Sequence, residues 1–158
     1  MDNKYKVSKV SDYDLWNKFE NNSPQSSIYS SIESILTFNK NLDLFSISKG
    51  NEVKCMVYLY TEGKKKITRL PLIYSGILFQ AKKNQKNSRY LAEKFKLTEI
   101  FIDSILNQYQ STDLNLHYNF EDIRPFLWFN YHELNQPKFK TEVKYTSLIN
   151  LKERSLED

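Results

Sequence analysis

Apolar residues recur along the chain at two spacings, one typical of helices and one typical of strands. Between residues 12 and 22 they recur every three or four positions, which predicts an amphipathic helix capped by Ser11 or Asp12. A second helix is predicted over residues 31–38. From Leu42 the period changes to two, which is typical of a half-buried β-strand.

The middle of the chain is predicted to form a β-meander. Its first two strands enclose a turn at residues 49–52 that contains Gly50, which is the pattern of a hairpin. A second turn follows at Gly63, and a later β run contains Gly76. The predicted strands cover residues 42–47, 53–61, 65–70 and 72–79.

The second half of the chain is predicted to contain the longest helix. We expect Thr98 to cap it and Gln110 to end it, with a start as early as Ser88 if the apolar stripe extends upstream. Three short elements follow: a strand over residues 114–118, a helix over 123–129 capped by Asp122, and a strand over 144–151. This order of elements predicts an α+β fold, a mainly antiparallel twisted sheet flanked by helices.

The chain has 158 residues, of which 40% are hydrophobic and 15% aromatic. This length and this composition predict a single folded domain rather than a disordered chain. We expect the domain to cover residues 1–151, followed by a charged tail over residues 152–158. Its three glycines are each 13 positions apart, which excludes a glycine-rich phosphate-binding loop, because such loops need glycines only a few residues apart.

Other compositional features exclude several kinds of site. A single cysteine, Cys55, allows no intramolecular disulfide, and its apolar neighbours predict a buried thiol. His117 and His132 do not have the spacing of metal ligands, so we expect no metal site. The N-terminus has no signal-peptide pattern and no apolar run is long enough to span a membrane, so we expect a cytoplasmic location. The abundance of Lys, Asn and Ile favours a bacterial source with an AT-rich genome.

Charge is distributed unevenly along the chain. Residues 64–96 carry ten basic side chains and one acidic one, a net charge of +9 in a chain whose total is +4. One part of this stretch lies on a predicted turn at residues 64–66. The other part lies in the connection before the long helix, with the basic residues Lys82, Lys83, Lys86 and Arg89.

The chain contains four short motifs of specific sequence. They are NSP (22–24) leading to IYSS (28–31), LPLIYSGI (70–77), FEDIRPFLW (120–128) and KYTSLINL (144–151). These motifs resemble the N-terminal lobe of the FemAB/FemX family, which belongs to the GNAT acyltransferase superfamily. The order of predicted elements is also that of the GNAT fold, and the resemblance extends over roughly residues 12–151.

The resemblance implies a GNAT-like lobe of an N-acyl- or aminoacyl-transferase. In that family the first lobe contributes to the acceptor cleft and the second generally holds the acyl donor. It therefore implies an acceptor-side half that acts on an amine of a cell-envelope or nucleotide-linked precursor. The chain lacks the glycine-containing loop that binds acyl-CoA pyrophosphate, so we expect it to bind no cofactor itself. Acyl-CoA or aminoacyl-tRNA is the implied donor.

Two alternatives remain open at this point. The chain can be a non-catalytic binding or interaction module, a degenerate GNAT half that pairs with a second copy or with a second lobe. It can also be a basic nucleic-acid-binding domain, although it has no motif that combines aromatic and basic residues for that purpose.

Candidate site residues follow from the resemblance and from residue type. His117 is either a general base, since its reference pKa is about 6.5, or a solvent-facing strand residue. Asp122 either has a catalytic role or caps a helix. Arg124 either binds phosphate or carboxylate in a cleft, or has a structural role in which it pairs with an acid or stacks on Trp128.

Aromatic and basic residues complete the set of candidates. Tyr74 and Trp128 either line a substrate cleft or belong to the core. Lys82, Lys83 and Arg89 either bind the phosphates of a nucleotide-linked precursor or of a tRNA, or serve solubility and protect strand edges.

Overall fold

Six strands and four α-helices form the described part of the computed structural model, which comprises residues 5–38, 41–63, 66–68 and 73–147. The strands are β1 (Tyr5–Lys9), β2 (Leu42–Lys49), β3 (Glu52–Glu62), β4 (Lys66–Thr68), β5 (Gly76–Phe79) and β6 (Ser111–Thr112). The helices are α1 (Tyr13–Glu20), α2 (Ile32–Phe38), α3 (Asn87–Ser104) and α4 (Arg124–Trp128), and a short 3-10 helix (Leu106–Gln108) follows α3.

The six strands form one sheet with β3 at its centre. The strand order is β1-β2-β3-β4-β6, and all pairs are antiparallel except the parallel pair β4–β6. β2 pairs with β3 along its whole length. The other edge of β3 is shared, because β4 pairs with Tyr60–Glu62 and β5 pairs with Cys55–Tyr58. The predicted α+β fold with a mainly antiparallel sheet is confirmed.

Alternate side chains of β3 build two separate cores, one on each face of the sheet. Cys55, Val57 and Leu59 belong to the core that α3 and α4 cover. Met56, Tyr58 and Tyr60 belong to the core that α1 and α2 cover, around the wholly buried Trp16. A strand buried on both faces explains why residues 53–61 are so rich in apolar side chains. Helices therefore flank the sheet on both sides.

The first half of the fold is close to its prediction. α1 is capped by Asp12, whose carboxylate accepts a hydrogen bond from the Leu15 N–H at 3.0 Å. α2 and the β2–β3 hairpin lie where the sequence pattern places them. Gly50 occupies the hairpin turn with φ = +59°, a conformation that favours glycine.

Three predictions about the second half are wrong. Thr98 does not cap α3: the helix begins at Asn87, next to the alternative start at Ser88, and the Thr98 hydroxyl lies buried within the helix, where it donates to the Lys94 carbonyl at 2.9 Å. No strand forms at residues 114–118; the short strand is β6, a little earlier in the chain. Residues 144–147 are also not in a strand, and residues 148–151 lie outside the described residues.

β1 was not predicted from the sequence. Its five residues pair with β2 from Tyr5↔Lys49 to Lys9↔Phe45, which adds an edge strand to the sheet. The proposed domain boundary at residue 151 lies outside the described residues and stays a prediction. Among the described helices, none combines the length and the apolar character that a membrane span requires.

Candidate functional site

A cavity of about 270 Å³ lies where the first half of α3 meets the start of β3 and the end of β5. Phe79 and Leu97 contribute apolar surface to it, and its other walls are mostly polar. Four cations and two carboxylates line the cavity, a net charge of +2. The lining residues are Glu52, Lys54, Phe79, Gln80, Ala81, Lys83, Asn84, Gln85, Arg89, Tyr90, Glu93, Lys94 and Leu97.

Glu52 is held by three polar side chains at one edge of the cavity. Its carboxylate lies 2.6 Å from the ammonium of Lys54 and 2.6 Å from that of Lys83, and it accepts a 2.8 Å hydrogen bond from Gln80 Nε2. These donors lower the pKa of Glu52 to about 2. A carboxylate with so low a pKa is a weak general base near neutral pH, so Glu52 organises the cations instead.

Lys94 brings a buried positive charge to the wall of the cavity. Its side chain is 7% exposed, and its ammonium lies 2.7 Å from the Glu121 carboxylate. The same ammonium lies over the rings of Phe79 and Tyr90, with 5.0 and 5.3 Å to the ring centroids. These contacts compensate the cost of burying the charge and fix its position.

Arg89 lies in the first turn of α3 and also lines the cavity. Its guanidinium is exposed and has no hydrogen-bond, ion-pair or ring partner within the described residues. The helix N-terminus beside it has no side-chain cap and no acidic residue in its first turn. The positive end of the helix dipole is therefore uncompensated next to an unpaired cation.

The structure brings only part of the basic candidate set together. Lys83 and Arg89 both line the cavity, whereas Lys82 lies outside its lining, with its ammonium 3.5 Å from the Asn87 side-chain oxygen. Lys64 and Lys65 of the predicted basic turn lie outside the described residues. Lys66 begins β4 and forms an exposed ion pair with Glu62 at 2.7 Å.

His117 is buried, which corrects the expectation of a solvent-facing strand residue. It follows a segment without strand structure, so the alternation of strand side chains does not apply to it. Its ring lies 4.8 Å from the Tyr74 ring and 4.2 Å from the Tyr118 ring, and its Nδ1 accepts a hydrogen bond from the Asn119 N–H at 3.1 Å. Burial lowers the pKa of His117 below its ordinary value of 6.5.

This burial predicts a pH-dependent stability. The unfolded chain protonates His117 near pH 6.5, whereas the folded chain does so only at lower pH. The unfolded state therefore binds more protons below about pH 6.5, and stability falls as the pH falls through that region. We expect the melting temperature of His117→Asn to depend less on pH between 7.5 and 5.5 than that of the wild type.

The exposed His132 provides the matched control for this measurement. His132→Asn should keep the pH dependence of the wild-type protein. Equal pH slopes for His117→Asn and the wild type would contradict the assignment to His117.

Asp122 and Arg124 pair with each other. Arg124 Nε lies 2.8 Å from Asp122 Oδ1 and its Nη2 lies 2.6 Å from Oδ2, a two-point ion pair. Asp122 Oδ1 also accepts from the Arg124 N–H at 3.1 Å and so stabilises the start of α4. The guanidinium lies over the rings of Phe95 and Trp128. The arginine thus pairs with an acid and also stacks on Trp128. These contacts correspond to the structural role given above as the alternative to binding an anion in a cleft.

The aromatic candidates belong to two different clusters. Tyr74 contacts Tyr29, His117 and Tyr118, and Trp128 contacts Phe95 and Arg124. None of the predicted residues Tyr74, His117, Asp122, Arg124 and Trp128 lines the cavity described above. The predicted site residues therefore do not form one site.

The loop between α1 and α2 is hydrogen-bonded to β5 and to the segment that follows His117. Gln25 is 1% exposed; its Oε1 accepts from the Phe79 N–H at 3.0 Å and its Nε2 donates to the Asn119 carbonyl at 3.2 Å. The amide thus joins β5 to the segment that follows His117. The motif that begins at residue 22 leads directly into this connection.

A buried carboxylate holds the same loop in place. Glu20 Oε1 accepts hydrogen bonds from the hydroxyls of Ser26 and Ser30, each at 2.7 Å, and lies 3.3 Å from the Ser27 nitrogen. Trp16 Nε1 donates to the Ser30 carbonyl at 3.0 Å. The loop is thereby fixed to the end of α1.

Several residues of the cavity were missed by the sequence analysis. Lys94 had a detectable signal, because it lies among Tyr90, Leu97 and Phe101 in the apolar stripe of α3. A cation within the buried face of a helix needs a partner or a function. Glu52 and Gln80 had no comparable signal, since only the pairing of β3 with β5 brings them together. No cluster of potential metal ligands occurs within the described residues.

Comparisons with known proteins identify no family for this chain. No family model and no curated protein matches it. Among solved structures, the chain is similar to "a possible acetyltransferase from Clostridium difficile 630", at 12% sequence identity over 93% of this chain and 99% of the other. The TM-score is 0.36, which is too low to establish a common fold.

Proposed function

We propose that this chain is a GNAT-like acyl- or aminoacyl-transferase lobe whose cavity beside α3 binds the phosphate groups of its substrate. The acyltransferase part rests on the four sequence motifs that resemble the FemAB/FemX family. The binding part rests on one structural observation. Arg89 has no partner among the described residues, and it lies at the uncapped start of α3, on the wall of a cavity with an excess of positive charge.

Phosphate suits this cavity on physical grounds. A guanidinium binds phosphate oxygens through two parallel N–H groups, and the first N–H groups of a helix point toward an anion at its N-terminus. Lys83 and Lys94 add positive charge to the lining. Both already have acidic partners, so Arg89 is the cation with the most capacity for a ligand.

The start of α3 also bears on anion binding. With a helix start at Thr98, residues 94–97, which include no glycine, would come directly before the helix. With the helix at Asn87, the polar and basic residues 80–86 come directly before it. Backbone N–H groups and cations can bind an anion there without the glycines of an acyl-CoA loop.

The role that we propose is substrate binding on the acceptor side. Acyl transfer to an amine requires a base that can take a proton near neutral pH. The low pKa of Glu52 makes it unsuited to that step. The bond-making groups would then come from the donor side, and this lobe would hold an amine-bearing, nucleotide-linked acceptor by its phosphates.

The substitution Arg89→Gln tests this proposal. We expect isothermal titration with uridine diphosphate to give an affinity about tenfold weaker than the wild type, because a charge-assisted hydrogen bond contributes roughly 1.5–3 kcal/mol. Arg89 is exposed and unpaired, so thermal stability should stay unchanged. Lys18→Gln, an equivalent charge removal on an exposed face of α1, should bind like the wild type.

The salt dependence of binding provides a second readout. The wild-type affinity should fall steeply between low and moderate salt, with a shallower dependence for Arg89→Gln. An affinity that is independent of salt, or equal for the two proteins, would contradict a phosphate site at α3.

A non-catalytic binding module is the second candidate function. The low pKa of Glu52 favours it, because Glu52 is then unsuited as a base. Among the described residues that line the cavity there is no histidine, and Glu93 is the one remaining carboxylate. Glu93 itself lies 3.5 Å from the Lys49 ammonium. Mass spectrometry of amine acceptors incubated with this chain and acetyl-CoA tests this alternative, because an acylated product would rule out a non-catalytic module and would also contradict the assignment of the bond-making groups to the donor side.

A further inference from the structure

The last part of the described chain is an exposed, extended segment. Residues 137–147 contain no turn and no bend, and residues 140–147 are all exposed. Phe139 anchors the segment, with its ring 5.2 Å from that of Phe126 and 5.3 Å from that of Phe129. Beyond this anchor, residues 140–147 form no hydrogen bond with the rest of the described chain. Such a backbone can pair with another strand.

The segment carries the alternation of a strand that has one apolar face. Thr141, Val143 and Tyr145 share one side, and the residues between them are charged. Val143 is 71% exposed and Tyr145 is 95% exposed. Side chains of this kind are rarely left in water along a whole face, which indicates that the face is covered in use.

We propose that two copies of this chain pair through residues 140–147 as antiparallel strands related by a two-fold axis at Val143. An interface of this type uses the same surface on both copies. Each Glu142 then lies opposite Lys144 of the partner subunit, and each Thr141 lies opposite Tyr145 of the partner subunit. One face of the two-stranded ribbon is apolar and the other carries two ion pairs.

Charge complementarity selects both the partner and the register. Opposite charges directly across two strands stabilise the pair and like charges destabilise it. A two-fold axis at Glu142 would place Glu142 against its own copy and Lys140 against Lys144 of the partner subunit. Only the axis at Val143 places both Glu142 and Lys144 opposite a residue of the other charge. Within the described chain, neither Glu142 nor Lys144 has an ion-pair partner.

Neighbouring apolar side chains extend this surface. A two-stranded ribbon alone is only marginally stable in water. Tyr131 is 63% exposed and Leu134 is 93% exposed, in the loop just before the segment. The Lys138 ammonium donates to the Tyr131 carbonyl at 3.0 Å, which connects this loop to the residue just before Phe139. The loop thus carries further exposed apolar area close to the segment in sequence.

Cysteine cross-linking tests the register. Under mild oxidation, Val143→Cys should form a disulfide-linked dimer, because directly opposite Cβ atoms lie about 4.5–5.5 Å apart, close to disulfide geometry. Thr141→Cys and Tyr145→Cys each face a different residue and should cross-link at least tenfold more slowly. The native Cys55 is wholly buried and does not compete. Equal rates at positions 141, 143 and 145 would overturn the proposed register.

Charge reversal tests the pairing by a second route. In analytical ultracentrifugation we expect a wild-type dimer, with a dissociation constant about tenfold weaker in Glu142→Lys and in Lys144→Glu. The double variant Glu142→Lys/Lys144→Glu should restore wild-type affinity, whereas Asp103→Lys, the same change of charge at an exposed position of α3, should have no effect. A wild-type monomer at every concentration, or a double variant no tighter than the single ones, would overturn the proposal.

Discussion

Replacing Glu20 by leucine should lower the free energy of unfolding by about 3 kcal/mol. Glu20 is only 5% exposed, and its carboxylate accepts hydrogen bonds from the hydroxyls of Ser26 and Ser30. Bonds to a charged group contribute about 1.5–3 kcal/mol each. Ser30 is wholly buried, so without Glu20 its hydroxyl has only the Ser27 carbonyl, at 2.9 Å, as a close acceptor. Leucine fills a similar volume but accepts no hydrogen bond. Urea unfolding followed by circular dichroism measures the difference.

Glu20→Gln is the matched control for this result. The glutamine keeps an acceptor oxygen in the same place, so it should cost less than half as much as the leucine. Equal losses for the two variants would show that volume or charge, rather than hydrogen bonding to the serines, determines the effect.

Gln25→Leu should be destabilising by about 1–3 kcal/mol, for a different reason. Its amide satisfies the backbone N–H of Phe79 and the carbonyl of Asn119. Phe79 is 1% exposed, so leucine would leave its N–H buried without a partner, whereas the carbonyl of the exposed Asn119 can bond to water. Because Phe79 lies in both the sheet and the cavity wall, the loss should also loosen the cavity.

Amide hydrogen exchange distinguishes this local effect from a general loss of stability. The Phe79 amide should lose protection beyond the global change, whereas amides of the β2–β3 hairpin should follow global unfolding. Gln110→Leu, at an exposed position, should leave both quantities unchanged. An unaltered Phe79 exchange rate in Gln25→Leu, relative to global unfolding, would refute the bridging role.

Local sequence signals were sufficient wherever a turn or cap residue is present. Gly50 marked the hairpin and Asp12 marked the start of α1, and both stand where they were predicted. α3 has no such mark, since its N-cap Lys86 makes no side-chain hydrogen bond. Thr98 resembles a cap in the sequence because threonine is favoured at helix N-termini. Inside a helix, however, a threonine hydroxyl can bond back to a carbonyl of the preceding turn, as Thr98 does here.

The remaining elements depend on contacts that the sequence does not display. β1 is a short strand of mixed residues whose partner, β2, begins 33 residues after its end. The burial of His117 depends on the rings of Tyr74 and Tyr118 rather than on strand alternation. Glu52, Lys83 and Arg89 line the same cavity because β3 pairs with β5. Such a site can be recognised only after the register of the sheet is known.

The lone cysteine of the inner core gives this protein an intrinsic reporter of unfolding. Cys55 is wholly inaccessible on the central strand, and burial raises the pKa of its thiol, so the native state offers an alkylating reagent no thiolate. Modification must therefore wait for the sheet to open. Its rate measures how often β3 is exposed, without denaturant and without an added label. Variants at Glu20, Gln25 and His117 can be ranked in this way under the conditions in which the chain works.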